Sequence, residues 1–148
     1  MLRGEGMDLG YLFTSTTGRI NRAKWWAGII MIAIASFILS WILALLIGTI
    51  GLIISPLVLL YPAYAVGAKR FQDRGRQGSL ALIGPALGLL YNLLIVAGII
   101  SPLEPGGLYY LLALLMLGVG IWYLVDLGCL KGASGANEYG SDPLGVAA

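Results

Sequence analysis

The densest chemistry in this chain lies in ten residues, Lys69-Arg70-Phe71-Gln72-Asp73-Arg74-Gly75-Arg76-Gln77-Gly78. Four cations flank one acid. Guanidinium forks suit phosphate and carboxylate oxygens, so one reading is a site for an anion or a lipid headgroup. The other reading is topological: basic residues fix the side of the membrane on which a loop lies and adsorb to anionic lipid, each for about 1 kcal/mol. Asp73 argues for more than topology, because orientation requires no acid there. If a helix runs on to Arg74, Lys69 and Arg70 come alongside Asp73 at spacings of four and three. Gly75 and Gly78 then permit a turn.

Two further polar segments bracket this one. Arg19, Arg22 and Lys24 lie before the first apolar run, and Lys131, Asn137, Tyr139 and Asp142 lie after the last. Arg19, Arg22, Arg70 and Arg76 are expected at one membrane surface, where uncompensated guanidinium groups repel. Asp73 is therefore expected to accept hydrogen bonds from Arg19 or Arg22, and from Arg70. Asn137, Tyr139 and Asp142 are expected to fold back onto this clamp. The candidate site is thus Arg19, Arg22, Arg70, Asp73, Arg76, Asn137, Tyr139 and Asp142, read as a cytoplasmic polar network or an anion or headgroup site. No catalytic, cofactor-binding or metal-ligating residue is assigned. Histidine is absent, which removes the commonest general base and metal ligand. Cys129 is the single cysteine, so no intrachain disulfide is possible.

The elements that must position these residues are membrane helices. Trp25 to Ala68 runs 44 residues without a charge, followed by charge-free runs of 27 residues (Gln77 to Leu103) and 21 residues (Pro105 to Val125). One span needs roughly 20 apolar residues, so the first run holds two spans and each later run holds one. The hydrophobic fraction of 59% is far above the soluble norm of about 45–50%. The fold class is all-α: a four-helix transmembrane bundle in a single domain, residues 1–148. Helices are expected at about 25–46, 52–68, 80–100 and 108–127, after an interfacial segment at 7–24 and before a tail at 128–148. Residues 1–6 read as an extension, with Met7 a candidate start. Hydrophobicity continuing past Ala35 argues for a span rather than a cleaved leader. Under this threading all nine basic residues fall on one side and the opposite loops carry only Glu104. The positive-inside rule then puts both termini in the cytoplasm.

Other features have plain readings. Pro56 and Pro62 can kink the second span, though membrane helices tolerate proline. Gly84 and Gly88 form a G-x-x-x-G, and Ser36 and Ser40 a weaker small-residue pair, both suited to helix packing. Trp25, Trp26, Tyr109, Tyr110, Trp122 and Tyr123 read as interfacial anchors. Trp41 lies deeper and reads as packing, and Asp126 as a hydrated residue at a helix end. No ionisable residue is central to a span, which argues against proton- or cation-coupled transport.

Three segments together resemble a bacterial inner-membrane family, domain of unknown function 805. They are Gly18-Arg19-Ile20-Asn21-Arg22-Ala23-Lys24-Trp25-Trp26, the Lys69–Gly78 segment, and Lys131-Gly132 with Asn137-Glu138-Tyr139-Gly140-Ser141-Asp142-Pro143. The resemblance covers about Met7 to Pro143. Gln72 stands where that family usually has histidine, Gln77 where it has serine, and Ser79 where it has tryptophan. The resemblance implies the four-helix threading and brings no activity. The leading expectation is a non-enzymatic assembly partner or accessory subunit of a membrane complex, with no cofactor. Its expected partners are anionic headgroups and a membrane protein or a second copy, and not nucleic acid. The alternative is a carrier or channel for a small or amphipathic anion. A lipid-modifying enzyme is the weakest reading.

Overall fold

In the computed structural model, which describes residues 7–145, the chain is helical, and no extended strand occurs among the described residues. The choice of Met1 as the start, and the basic residue Arg3, lie outside them. Asp8 caps the short helix α1 (Leu9–Thr14) by accepting from the Tyr11 N–H. Asn21 caps α2 (Arg22–Ile47) in the same way, its side-chain oxygen 2.9 Å from the Lys24 nitrogen. Each cap satisfies a donor that the helix itself leaves unpaired. With that cap at Asn21, α2 begins three residues before the expected start at Trp25.

One residue reverses the chain after α2. Gly48 takes φ +65°, a conformation that costs glycine little. Helix α3 (Thr49–Val58) then runs back along α2, so the hairpin turns at Gly48 alone rather than over Gly48 to Gly51. The Ser40 and Ser55 hydroxyls meet across it at 2.5 Å. The second span is two helices rather than one. It breaks at Leu59 and resumes as α4 (Leu60–Asp73). Pro62 has no N–H for the Val58 carbonyl and its ring crowds the preceding turn, which ends α3 there. Helix α4 also continues five residues past the expected end at Ala68, so the charged segment is helical up to Asp73.

A 3-10 turn (Gly78–Leu82) leads into α5 (Ile83–Val96), which ends four residues before the expected end at Ile100. Helix α6 (Gly107–Tyr123) follows and closes in a π turn (Leu124–Cys129). Among the described residues four segments are long and apolar enough to cross a membrane: Arg22–Ile47, Ile50–Asp73, Gly78–Val96 and Gly107–Cys129.

The apolar core sits at the charged end of the bundle, where Leu12, Ile20, Trp25, Val66, Phe71 and Leu127 pack together. Away from that end the spans present aliphatic side chains outward. Trp41 is 66% exposed and faces the surrounding medium, a correction to its reading as packing. Its place mid-span makes that medium hydrocarbon, which an indole ring tolerates. Of the expected interfacial anchors, Trp25 is instead buried in the core. Trp122 and Tyr123 pack on Phe71, each with ring centroids 5.5 Å away. Gly84 supports the small-residue reading, because a Cβ there would touch Tyr123, whereas a Cβ at Gly88 would meet nothing within 4 Å.

Gly51 is where the α2–α3 hairpin is tightest, since a Cβ there would overlap the Leu43 backbone. Gly51→Ala should destabilise the protein in detergent by about 1–3 kcal/mol, the usual cost of overpacking. Gly118→Ala, with open space around its Cβ position, should be neutral or stabilising by up to about 1 kcal/mol through helix propensity. Equal thermal midpoints for the two variants would show that α2 and α3 do not pack this closely.

Candidate functional site

The last turn and a half of α4 puts five consecutive buried side chains, Lys69 to Asp73, all round one helix. At 3.6 residues per turn they point in different directions, and each meets a different part of the chain. Lys69 is fully buried. Its ammonium donates to the carbonyls of Tyr11 at 2.9 Å, Leu12 at 2.8 Å and Ser15. Those are carbonyls at the C-terminal end of α1, and Tyr61 Oη adds a bond to the Thr14 carbonyl at 2.6 Å. A cation is favoured at a helix C-terminus, where unpaired carbonyls collect. Lys69 therefore fixes α1 to the bundle and spends all three of its donors doing so. Burial lifts the Tyr11 phenol above its ordinary range.

Arg70 serves the end of the last helix. Its Nε donates to Leu127 O at 2.8 Å and its Nη2 to Leu130 O at 2.6 Å, while Nη1 pairs with Asp73. Trp26 Nε1 takes Gly128 O at 3.2 Å and Arg22 Nη1 takes Cys129 O at 2.8 Å. Arg74 takes the Lys131 carbonyl. Carbonyls from Leu127 through Lys131 are thus each met by a side-chain donor. The π turn presents them to one side instead of along the helix axis.

Asp73 stands between Arg70 and Arg19, with Arg19 Nε 3.0 Å from its Oδ1. The carboxylate is 2% exposed and the two arginines 7% or less. Arg19 uses its remaining donors on the tail: Ala133 O at 2.5 Å, Gly135 O at 2.6 Å and Gly140 O at 3.2 Å. The Asp73 carbonyl accepts from the Ala133 N–H at 2.8 Å. A Cβ at Gly132 would fall on the Asp73 carboxylate, so the tail passes closely only because glycine is there.

The structure brings most of the expected residues together, with different partners for some. Asp73 joins Arg19 and Arg70 and not Arg22, which caps Cys129 instead. Arg76 leaves the clamp for Asp126, 2.6 Å away. Asn137 caps α4 by donating to the Gln72 carbonyl at 2.9 Å. Asp142 braces the tail itself, accepting from the Gly135 and Leu144 N–H groups. The Leu144 N–H above all holds the Asp142 carboxyl below its usual range. Tyr139 contributes its backbone N–H to Asn137 Oδ1 at 2.9 Å.

Asp126 is the clearest correction. It is 3% exposed, not hydrated. It accepts from Arg74 Nε at 3.0 Å, Arg76 and Trp122 Nε1 at 3.3 Å. Each buried acid therefore bridges two arginines, and the surplus positive charge is met by carbonyl dipoles. Sequence reasoning missed Lys69, Arg74 and Asp126 as members of this hub. Their signal was position: Lys69 ends the long uncharged run and Asp126 ends the last one, at depths where a lone charge is costly. Gln72 donates to Thr16 O at 3.0 Å, and its buried Oε1 has no partner. Beside the hub a cleft of about 460 Å³ opens between the start of α2 and the tail, with Arg22, Lys131 and Asp142 among its walls.

Among known proteins, the family model described as "Protein of unknown function (DUF805)" matches residues 13–141. Neither the search of curated proteins nor that of solved structures returns a match.

Asp73→Asn leaves two buried guanidinium groups without their counter-charge. Removing one partner of a buried pair costs about 3–5 kcal/mol. The variant should therefore lose stability in detergent and expose the tail to protease. Glu104→Gln, in the exposed loop between α5 and α6, should change neither. Gly132→Ala should mimic Asp73→Asn in tail release. Full tail protection in both hub variants would contradict the arrangement.

Proposed function

The chain belongs to the DUF805 family of proteins of unknown function, and we propose that it works without catalysing a reaction, as an assembly partner or accessory subunit of a membrane complex. The observation that carries this reading is where the arginine donors go. Arg19, Arg70 and Arg74 spend theirs on the protein's own carboxylates and carbonyls, which makes a preordered surface rather than a gate that hands an anion along. The cavity between the spans is lined mainly by aliphatic residues, which favours this reading over an anion carrier or channel. In this proposal the charged end is the cytoplasmic face of a bacterial inner membrane. Exposed Arg22 and Lys131 meet anionic headgroups, and the ordered tail meets a membrane-protein partner or a second copy.

Reporter fusions after Gly48, Arg76, Gly106 and Gly145 should read outside, inside, outside and inside. An inside reading at Gly106 would overturn the orientation.

Purification from native membranes in mild detergent should recover the chain with a second membrane protein, or a second copy, in near-equal amount. Asp73→Asn should lower that recovery several-fold at equal expression. Wild-type protein that runs as a lone chain, with and without chemical cross-linking in the membrane, would overturn the assembly reading.

A further inference from the structure

Between α2, the broken second span and α5 lies a cavity of about 370 Å³, within the range of small-molecule sites. It exists because the spans meet mainly at the charged end. Among the described residues no Cα of α2 comes within 8 Å of α5 or α6, although α3 and α4 both reach α5. The cavity is long. Its wall on the second span runs from Pro56 to Gly67 and its wall on α5 side from Ala81 to Asn92, about 16 Å in each case at 1.5 Å per residue. Nearly all of the lining is aliphatic or aromatic.

Apart from the Tyr123 hydroxyl, two polar side chains break that lining, Ser36 and Asn92. Each lies fourteen residues from the charged end of its own span, about 20 Å along it and within an uncharged segment. Asn92 Nδ2 donates to the Gly88 carbonyl at 2.8 Å, which leaves its side-chain oxygen free to accept. The Ser36 hydroxyl has no protein partner among the described residues, whereas Ser40 one turn on is paired with Ser55. Tyr123, toward the charged end of the cavity, is already occupied: its hydroxyl donates to Leu80 O and accepts from the Gly84 N–H. An unpaired acceptor and hydroxyl facing hydrocarbon are costly unless something meets them.

We propose that this cavity binds an uncharged lipid with a free hydroxyl, drawn sideways from the bilayer. Its hydroxyl donates to the Asn92 carboxamide oxygen and accepts from Ser36. Its chain lies along the groove past Gly88 toward Gly84 and Tyr123. A phospholipid acyl chain fills the same groove but satisfies neither polar group. A transmembrane helix of a second copy, about 10 Å across with its side chains, is too bulky for a cavity of about 370 Å³. The site is independent of the hub and of the assembly reading.

The test uses the full chain in phosphatidylcholine vesicles with three photoactivatable probes: a diazirine-bearing hexadecanol, the matching alkane, and a phosphatidylcholine labelled in its acyl chain. The alcohol should label the segments around Ser36 and Asn92 in preference to both others. Asn92→Leu keeps the bulk and removes the acceptor, so the preference for alcohol over alkane should fall roughly five-fold, the loss of one hydrogen bond. A Cβ at Gly88 meets nothing within 4 Å, so Gly88→Leu fits the backbone and fills the groove. It should abolish labelling there, and Gly118→Leu on α6 should not. Equal labelling by alcohol and alkane, labelling led by the phosphatidylcholine probe, or labelling untouched by both Gly88→Leu and Asn92→Leu would each overturn the proposal. So would a cross-link from this groove to a second copy in place of the probe.

Discussion

Everything at the charged end of this protein depends on one carboxylate that water does not reach. Asp73 sits between two guanidinium groups whose other donors hold the last helix and the tail. Without the negative charge, Arg19 and Arg70 would face each other in a region that cannot screen them. With it, each arginine is free to turn its remaining N–H groups toward backbone carbonyls. The ion pair is thus less a source of net stability, which buried pairs seldom supply, than the condition that lets two long cations be buried at all. A second, less buried copy of the same solution occurs at Asp126 with Arg74 and Arg76.

The carbonyls explain why so many cations are needed. Every helix ends with four carbonyls that no residue of its own can satisfy. Here α1, α4 and the π turn all end within the same small volume, close to hydrocarbon, where water is a poor substitute. Lys69 serves α1, Asn137 serves α4, and Arg70, Trp26 and Arg22 serve the π turn. Basic residues that read as orientation signals therefore also do the capping. The two roles do not compete, because both call for positive charge at the same membrane boundary.

What was legible in the sequence is what leaves a mark in residue type and spacing. The four spans were readable because charge is excluded from hydrocarbon and the gaps between charges measure the bilayer. The pairing of Asp73 was readable because it is the single acid among many arginines. The partners of Lys69, Arg22 and Arg70 were not, because backbone carbonyls leave no mark in a sequence and any residue supplies one. Asp126 was misread for a related reason. A helix end looks exposed until one knows that the loop after α4 folds over it. The break at Leu59 was half legible: Pro56 and Pro62 announced a disturbance, but membrane helices tolerate proline, so the sequence did not tell a kink from the end of α3 that Pro62 brings about. Trp41 shows the limit of size as a guide, since a large apolar ring is as well placed facing lipid as facing protein.

The two ends of the bundle are specified by different physics. Toward the charged end, directional bonds from buried cations dictate which groups meet, and a shift of an ångström breaks several at once. In the spans, lipid competes with protein for every apolar contact, so helices are held together by close fit and by a few hydrogen bonds such as Ser40 to Ser55. Small residues provide that fit at Gly51 against α2 and at Gly84 against Tyr123, and it lapses at Gly88, where the space is open. The hydrogen-bonded end therefore sets how the spans enter the bilayer. Beyond that end no Cα of α2 comes within 8 Å of α5 among the described residues, and a gap lies between them. A tight polar hub and an open apolar groove thus occur in one bundle, the first fixed by directional bonds and the second left where close fit between helices lapses.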